Sequence, residues 1–445
     1  MSTGHPVKTP KKAALASFLG STLEYYDFVI YGSASALIFN HLFFPKGDAT
    51  VATIASLASF GVAYIARPIG GLLMSHIGDK IGRKTALMIT LVVMGLASIS
   101  IGLLPTYDSV GILATILLFA CRIAQGFSAG AESAGASTMT MEHSPEGRRA
   151  FFTSSVMVGC SAGNVLAGLV FMPFLALPEE HLMSWGWRVP FLLSALVLLV
   201  AYFVRTHLEE TPVFEKTEEA EPAEFVPAVE VLKNQWRDVL RIVGVTLYSV
   251  VQTTFMVYTL TYGTDVAGIP RATMVQINTL AMAVSLATIP AAAIVSDKIG
   301  RRPVLVFGAI GCIITTYLYF TALNDRNIGL LFFLCVLNQG FFYSCWNGVW
   351  TVYFPEMFSA SVRYTGMAMG NQVGLVFVGF APSIATVLRD WAGWLAVVGF
   401  VSLSIAFAAF LILTSKETAF VRLEDLGAEH DPLRKRSKEN SMLEA

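Results

Sequence analysis

The chain has 445 residues, of which 55% are hydrophobic and 14% charged, with a formal net charge of −1 and a mean hydropathy of +0.63. A water-soluble protein of this length needs a charged exterior that this composition does not supply, so a soluble helical protein is excluded. The near-neutral charge gives no footprint for nucleic acid, and the five cysteines show neither metal-ligand spacing nor a paired framework.

Taken in chain order, residues 1–12, MSTGHPVKTPKK, are short and basic and lack a cleavage pattern, so they read as a tail rather than a signal peptide. Apolar runs follow at roughly 14–40, 50–74, 85–104, 110–141, 150–173, 187–205, 241–262, 272–296, 303–322, 328–354, 364–388 and 391–414. Their lengths suit helices crossing about 30 Å of hydrocarbon at roughly 1.5 Å per residue, some with tilt. The expected fold class is therefore an all-α polytopic membrane protein of twelve transmembrane helices. Two pseudo-symmetric six-helix bundles, 14–205 and 241–414, are expected between an N-terminal tail (1–13) and a C-terminal tail (415–445). A Glu- and Pro-rich linker, 206–240, joins them and reads as water-exposed and partly helical.

Charge placement orients the spans. Lys46, Arg188, Arg271, Arg326 and Arg389 fall on one side, and Arg67 and Arg122 fall inside spans. The other 23 of the 30 Lys and Arg lie in the tails and alternate loops. That asymmetry puts both termini on the cytoplasmic side of the membrane. The same side carries a repeat. SHIGDKIGRK, Ser75–Lys84, joins spans 2 and 3, and SDKIGRRP, Ser296–Pro303, joins spans 8 and 9. A plain loop satisfies the charge rule with any basic residues, whereas an ordered pattern written twice at matching positions marks a duplicated carrier. Asp79, Arg83, Asp297 and Arg301 are the expected gating residues. Glu132, ten residues beyond Arg122 and so about 15 Å nearer the cytoplasm, is expected to join them as a lock with Asp79.

Polar groups inside apolar spans are costly unless paired or wetted, so they mark function. Span 1 carries Glu24, Asp27 and Tyr31 at i, i+3 and i+7, on one helical face. With Arg67 and Arg122 they set two carboxylates against two guanidiniums. Asp27, with Glu24 as second candidate, is expected to take and release a proton. Arg122 is expected to hold the deprotonated Asp27 and a substrate carboxylate alternately; a permanent structural ion-pair cluster is the competing reading. Arg67, before Pro68, fits substrate contact or a structural role. The second half offers neutral groups instead. On span 10, Tyr343, Asn347, Trp350 and Phe354 recur at three- and four-residue steps, and with Gln252 and Asn371 they offer hydrogen bonds and stacking to a small solute. Trp185, Trp187 and Arg188 read as anchors at the membrane interface.

The hairpins resemble the G-x-x-x-D-R-x-G-R-R signature of the major facilitator superfamily, with Ser75 and Ala293 in place of the leading Gly. Arg122-IAQG resembles that family's R-x-x-Q-G motif, linked there with proton coupling. Further stretches are similar to its metabolite:proton symporters, which include shikimate, α-ketoglutarate, citrate and proline/betaine carriers. They are Glu24-YYDFVIYG, Phe60-GVAYIARPIGG, Ser184-WGWRVPF, Glu209-ETPVFEK and Phe354-PEMFSASVRYTG. The resemblance implies a proton-coupled importer of a small organic anion, without a cofactor and acting as a monomer. The alternatives are a carrier of a zwitterionic osmolyte and an uncoupled facilitator. An enzyme is not expected, because none of the seven His lies mid-membrane or pairs at catalytic spacing; an ATP-driven pump is excluded because no G-x-x-x-x-G-K-[ST] loop occurs.

Overall fold

The computed structural model describes residues 9–45, 59, 62–74, 77, 81–175, 177–206 and 227–427. Nine helical stretches among them are long and apolar enough to cross a membrane. A tenth crossing is the pair Glu179–Gly186 and Arg188–Val204, bent by 41°. Two more complete the twelve. Pro10–Leu37 has the length at 28 residues but carries Lys11, Lys12, Glu24 and Asp27, and Val62–Met74 is apolar but short over its described part.

We label the crossings in chain order: α1 Pro10–Leu37, α2 Val62–Met74, α3 Arg83–Leu103, α4 Ile112–His143, α5 Arg149–Phe174 and α6 Arg188–Thr206. The second half is α7 Trp236–Thr264, α8 Arg271–Ile299, α9 Arg301–Asn324, α10 Ile328–Met357, α11 Ala360–Ala392 and α12 Trp394–Leu413. Pro10 opens α1 in the first turn, where a missing N–H costs nothing. Hydrocarbon offers no backbone partners, so each span satisfies its own. α10 departs from this regularity: a π-helical turn runs Val336–Phe342, and a break at Gly348 and Val349 precedes Trp350.

Helices within a half approach through small residues, as expected where lipid and side chain are equally apolar. A Cβ at Gly130 of α4 would lie 2.1 Å from the Arg67 carbonyl of α2, and one at Gly163 of α5 would lie 2.5 Å from the Thr22 carbonyl of α1. The repeat is visible in the backbone. Gly82 and Gly300 sit at φ 104° and 107°, a region glycine reaches without strain, and the next helix starts at the following residue in each case. The two halves meet along α5 and α8, where the Ser161 and Ser285 hydroxyls lie 2.7 Å apart. They also meet between α4 and α11, where Gln372 donates to the Gly130 carbonyl at 2.6 Å.

The stretch after α12, read from the sequence as the start of a tail, is docked through residue 427. The Glu417 carboxylate accepts from the backbone N–H groups of Arg301 and Arg302 at 2.9 and 3.0 Å, capping α9. In the linker, Pro227–Asn234 is helical; 207–226 and 428–445 lie outside the described residues.

Candidate functional site

Asp27 is completely buried in α1 and faces α3 and α6. Ser98 donates to its Oδ2 at 2.5 Å and Ser194 to its Oδ1 at 2.6 Å. The expected direct contact with Arg122 is absent. The two are joined instead through neutral groups: Arg122 Nη1 donates to Gln125 Oε1 at 2.9 Å, and Gln125 Nε2 donates to Ser98 Oγ at 2.7 Å. The physical reason is azimuthal. Asp27 and Tyr31 share a face loosely, so Tyr31 reaches Ser59 at 2.6 Å while Asp27 turns into the first bundle. Ser98, Gln125 and Ser194 escaped the sequence reading because neutral residues inside a span raise no charge signal. Gln125 alone carried another signal, its place in Arg122-IAQG three residues after Arg122 on the same helical face.

Glu24, by contrast, pairs directly with Arg67 at 2.9 Å, both side chains under a tenth exposed. The Phe28 ring keeps the two guanidiniums apart, lying 4.4 Å from Arg67 and 4.5 Å from Arg122, and the Tyr31 ring lies 4.0 Å from Arg122. Cation–π attraction of about 0.5–2 kcal/mol each offsets part of the repulsion between like charges. Glu132 accepts near Thr90, 3.1 Å away, and lines with Glu24 and Ser128 a cavity of ≈ 10 Å³ between α1, α3 and α4. Its expected partner Asp79, and the side chain of Arg83, lie outside the described residues.

In the second half the aromatic face forms a buried wall. Tyr248 meets Trp346 at 4.7 Å and Tyr343 at 5.9 Å, and the Trp346 and Trp350 rings stack at 6.3 Å. Tyr343 donates to Gln252 at 3.4 Å. Asn347 and Asn371 are 2% and 3% exposed, and each keeps one polar atom without a partner among the described residues. Tyr25 of α1 packs against the buried apolar cluster that runs through both halves, from Met157 and Cys160 of α5 to Tyr343 of α10.

The chain has relatives among known proteins. The family model described as "Sugar (and other) transporter" matches residues 12–429. The shikimate transporter of Escherichia coli is 35% identical over 92% of this chain and 95% of its own length. The chain belongs to the major facilitator superfamily. Its proline/betaine transporter relative in the same organism is 32% identical over 92% of this chain and 84% of that protein. A solved proton:xylose symporter, XylE bound to 6-bromo-6-deoxy-D-glucose, superposes with a TM-score of 0.77 at 18% identity, covering 95% of this chain and 99% of that one. This facilitator is thus a multi-pass membrane transporter of small molecules, not an enzyme.

At the hairpin face of the facilitator, charged groups join the two halves. Asp297 of α8 accepts from the backbone N–H groups of Ala150 and Phe151 in the other half, both at 3.0 Å, and from Arg301 at 2.8 Å. Arg301 forks onto both oxygens of Glu356 at 3.1 Å, and Arg149 of the first half pairs with the same carboxylate at 3.1 Å. Glu142 and Arg363 add a second cross-half pair at 3.2 Å. Asp297 and Arg301 were expected here. Arg149 and Arg363, which counted toward membrane orientation, and Glu142 and Glu356, acids outside that count, were not. At the opposite face one expectation is corrected. Trp187 is fully buried rather than interfacial, edge-on to Phe39 and Phe43 at 5.6 and 5.5 Å. Arg188 caps it and donates to the carbonyls of Gly102 and Leu104, closing the end of α3. Trp185 stays half-exposed.

Proposed function

We propose that the protein is a proton-coupled symporter that imports a small organic acid by alternating access, with the hairpin face and both termini in the cytoplasm and the halves 14–205 and 241–414 as its moving bodies. The observation that carries this is Asp27: a fully buried carboxylate with no ion-pair partner among the described residues, wired to Arg122 through Ser98 and Gln125. Protonation turns one Asp27 oxygen from acceptor to donor, so a serine hydroxyl beside it must reverse. Reversal at Ser98 changes what Gln125 meets and so loosens the hold of Gln125 on Arg122. The guanidinium then becomes available to a carboxylate, which it binds as a planar fork. With Glu24 offsetting Arg67, Arg122 leaves the cluster net positive once Asp27 is protonated, which favours an anionic solute, while Tyr31, Gln252, Tyr343, Asn347, Trp350 and Asn371 supply neutral contacts. The shikimate transporter relative supports a cyclic acid. The proline/betaine relatives and the stacked Trp346 and Trp350 support a zwitterion as second reading.

The test is Asp27→Asn in proteoliposomes. The variant keeps size and one acceptor but cannot titrate, so accumulation driven by a pH gradient should fall to simple equilibration while counterflow of the solute continues. Undiminished accumulation by D27N would remove Asp27 from the coupling step.

A further inference from the structure

We propose that Asn164 of α5 contacts the transported solute, and that this solute is a hydroxylated carboxylate whose O–H donates to Asn164. The inference rests on the organic-acid reading above and narrows it.

The position follows from helix geometry. Gly159 and Gly163 press on the α1 backbone at Phe18 and Thr22, while Ser161 and Gly168 face Ser285 and Thr279 of α8. At about 100° per residue, Asn164 falls between these two faces. That wedge is interior: Met157, Cys160, Asn164 and Phe171 share it and are all buried, whereas Leu169 on the far side is 58% exposed. α1 belongs to one half and α8 to the other, so the wedge opens onto the seam between the halves. Gly163 lies against Thr22 and Tyr26, which puts Asn164 at the depth of Glu24 and Asp27.

The chemistry follows from the hydrogen bonds. Asn164 Nδ2 donates to the Cys160 carbonyl at 2.9 Å. A carbonyl only accepts, so this bond fixes which way round the amide lies. Oδ1 is therefore an acceptor, and it is buried without a partner among the described residues. In the opposite half Asn347 of α10 keeps its Oδ1 unpaired and Asn371 of α11 its Nδ2, the latter answered by any carboxylate or hydroxyl oxygen. A solute that satisfies the Asn164 oxygen must bring a donor. A carboxylate has none, and neither has a fully alkylated ammonium. An N–H on an ammonium would donate, but with Asp27 protonated for loading, Glu24, Arg67 and Arg122 leave a net positive charge that repels it. A ring or chain hydroxyl on a carboxylate supplies the donor and keeps the solute an anion.

The experiment uses the full chain in proteoliposomes with a pH gradient and three probes: a cyclohexene carboxylate bearing ring hydroxyls, the same ring carboxylate without them, and glycine betaine. We expect wild type to prefer the hydroxylated acid about tenfold or more in kcat/KM, since buried acceptors reject an analogue that leaves them unmet. Asn164→Ala should lower uptake of the hydroxylated acid about tenfold and raise that of the unhydroxylated one, which no longer leaves an acceptor unmet, and Asn164→Ser, which keeps an acceptor, should recover part of the preference. Equal loss for both acids in N164A would make Asn164 structural and overturn the proposal. Equal uptake of both acids by wild type would overturn the hydroxyl inference and leave the organic-acid reading standing, a result that needs no variant to fold. Uptake of betaine and of neither acid would overturn both.

Discussion

Buried charge is the most informative feature at the scale of single residues, because each one must be answered by a neighbour. Glu24 and Arg67 answer each other across 2.9 Å. Replacing Arg67 by Met removes the guanidinium from a carboxylate that stays buried, which costs roughly 3–5 kcal/mol where measured in other proteins. The double variant Glu24→Gln/Arg67→Met should recover much of that. Thermal melts in detergent of both variants and the parent will show it; an R67M melt equal to the parent would mean the pair contributes nothing to stability. Asp27 behaves differently, being answered by two hydroxyls rather than by a cation. Its candidacy as the proton carrier rests on residue type and depth, which the sequence carries. Its wiring was not, because Ser98 and Ser194 lie 71 and 167 residues away on other helices.

Glycine decides how closely elements approach. α2 and α4 touch backbone to backbone, with Gly126 over Ala63 and Gly130 over Arg67. A Cβ on Gly130 would lie 2.1 Å from the Arg67 carbonyl oxygen, which is backbone and cannot swing aside. Gly130→Ala must therefore push α4 from α2, at a cost of about 1–3 kcal/mol by analogy with overpacked cores. The same displacement moves Arg67 away from Glu24 and breaks the Gln372 bond to the Gly130 carbonyl. G130A should accordingly lower both the melting temperature and the transport rate, with the protein still monodisperse. Unchanged values would show that the helices have slack there. The sequence marked this stretch only through its likeness to a family motif; the contact depends on two helices crossing at that depth.

For the whole molecule, the hairpin face is closed by Glu356, which sits between Arg301 of its own half and Arg149 of the other, its side chain fully buried. Glu356→Gln leaves two buried guanidiniums facing a neutral amide, so the closed arrangement loses its counter-charge while the open one, where water reaches all three, loses little. The population should shift toward an open hairpin face by the difference between the two. In a background without native cysteines, a reporter cysteine replacing Ser285 on the α5–α8 seam should react several-fold faster with a reagent applied from the hairpin side when E356Q is present. An unchanged labelling rate would exclude Glu356 as a latch.

Several properties were settled by the chain itself. The number and approximate limits of the spans follow from composition, because hydrocarbon demands about twenty apolar residues per helix and leaves no backbone group unpaired. The twin hairpins follow from a pattern of six residues, and Gly82 and Gly300 adopt matching backbones because their local sequences match. Tertiary structure alone decided which charges meet. Glu24 found Arg67, Arg122 found Gln125 instead of Asp27, Glu356 gathered two arginines, and Glu417 turned back to cap α9. Each of these pairings depends on helix azimuth and on the packing of distant spans, quantities that a hydrophobic period of about 3.6 residues constrains only to a face. Trp187 makes the same point from the apolar side: its sequence position suits the interface, and three aromatic neighbours, Phe191 of α6 with Phe39 and Phe43 just after α1, draw it inside.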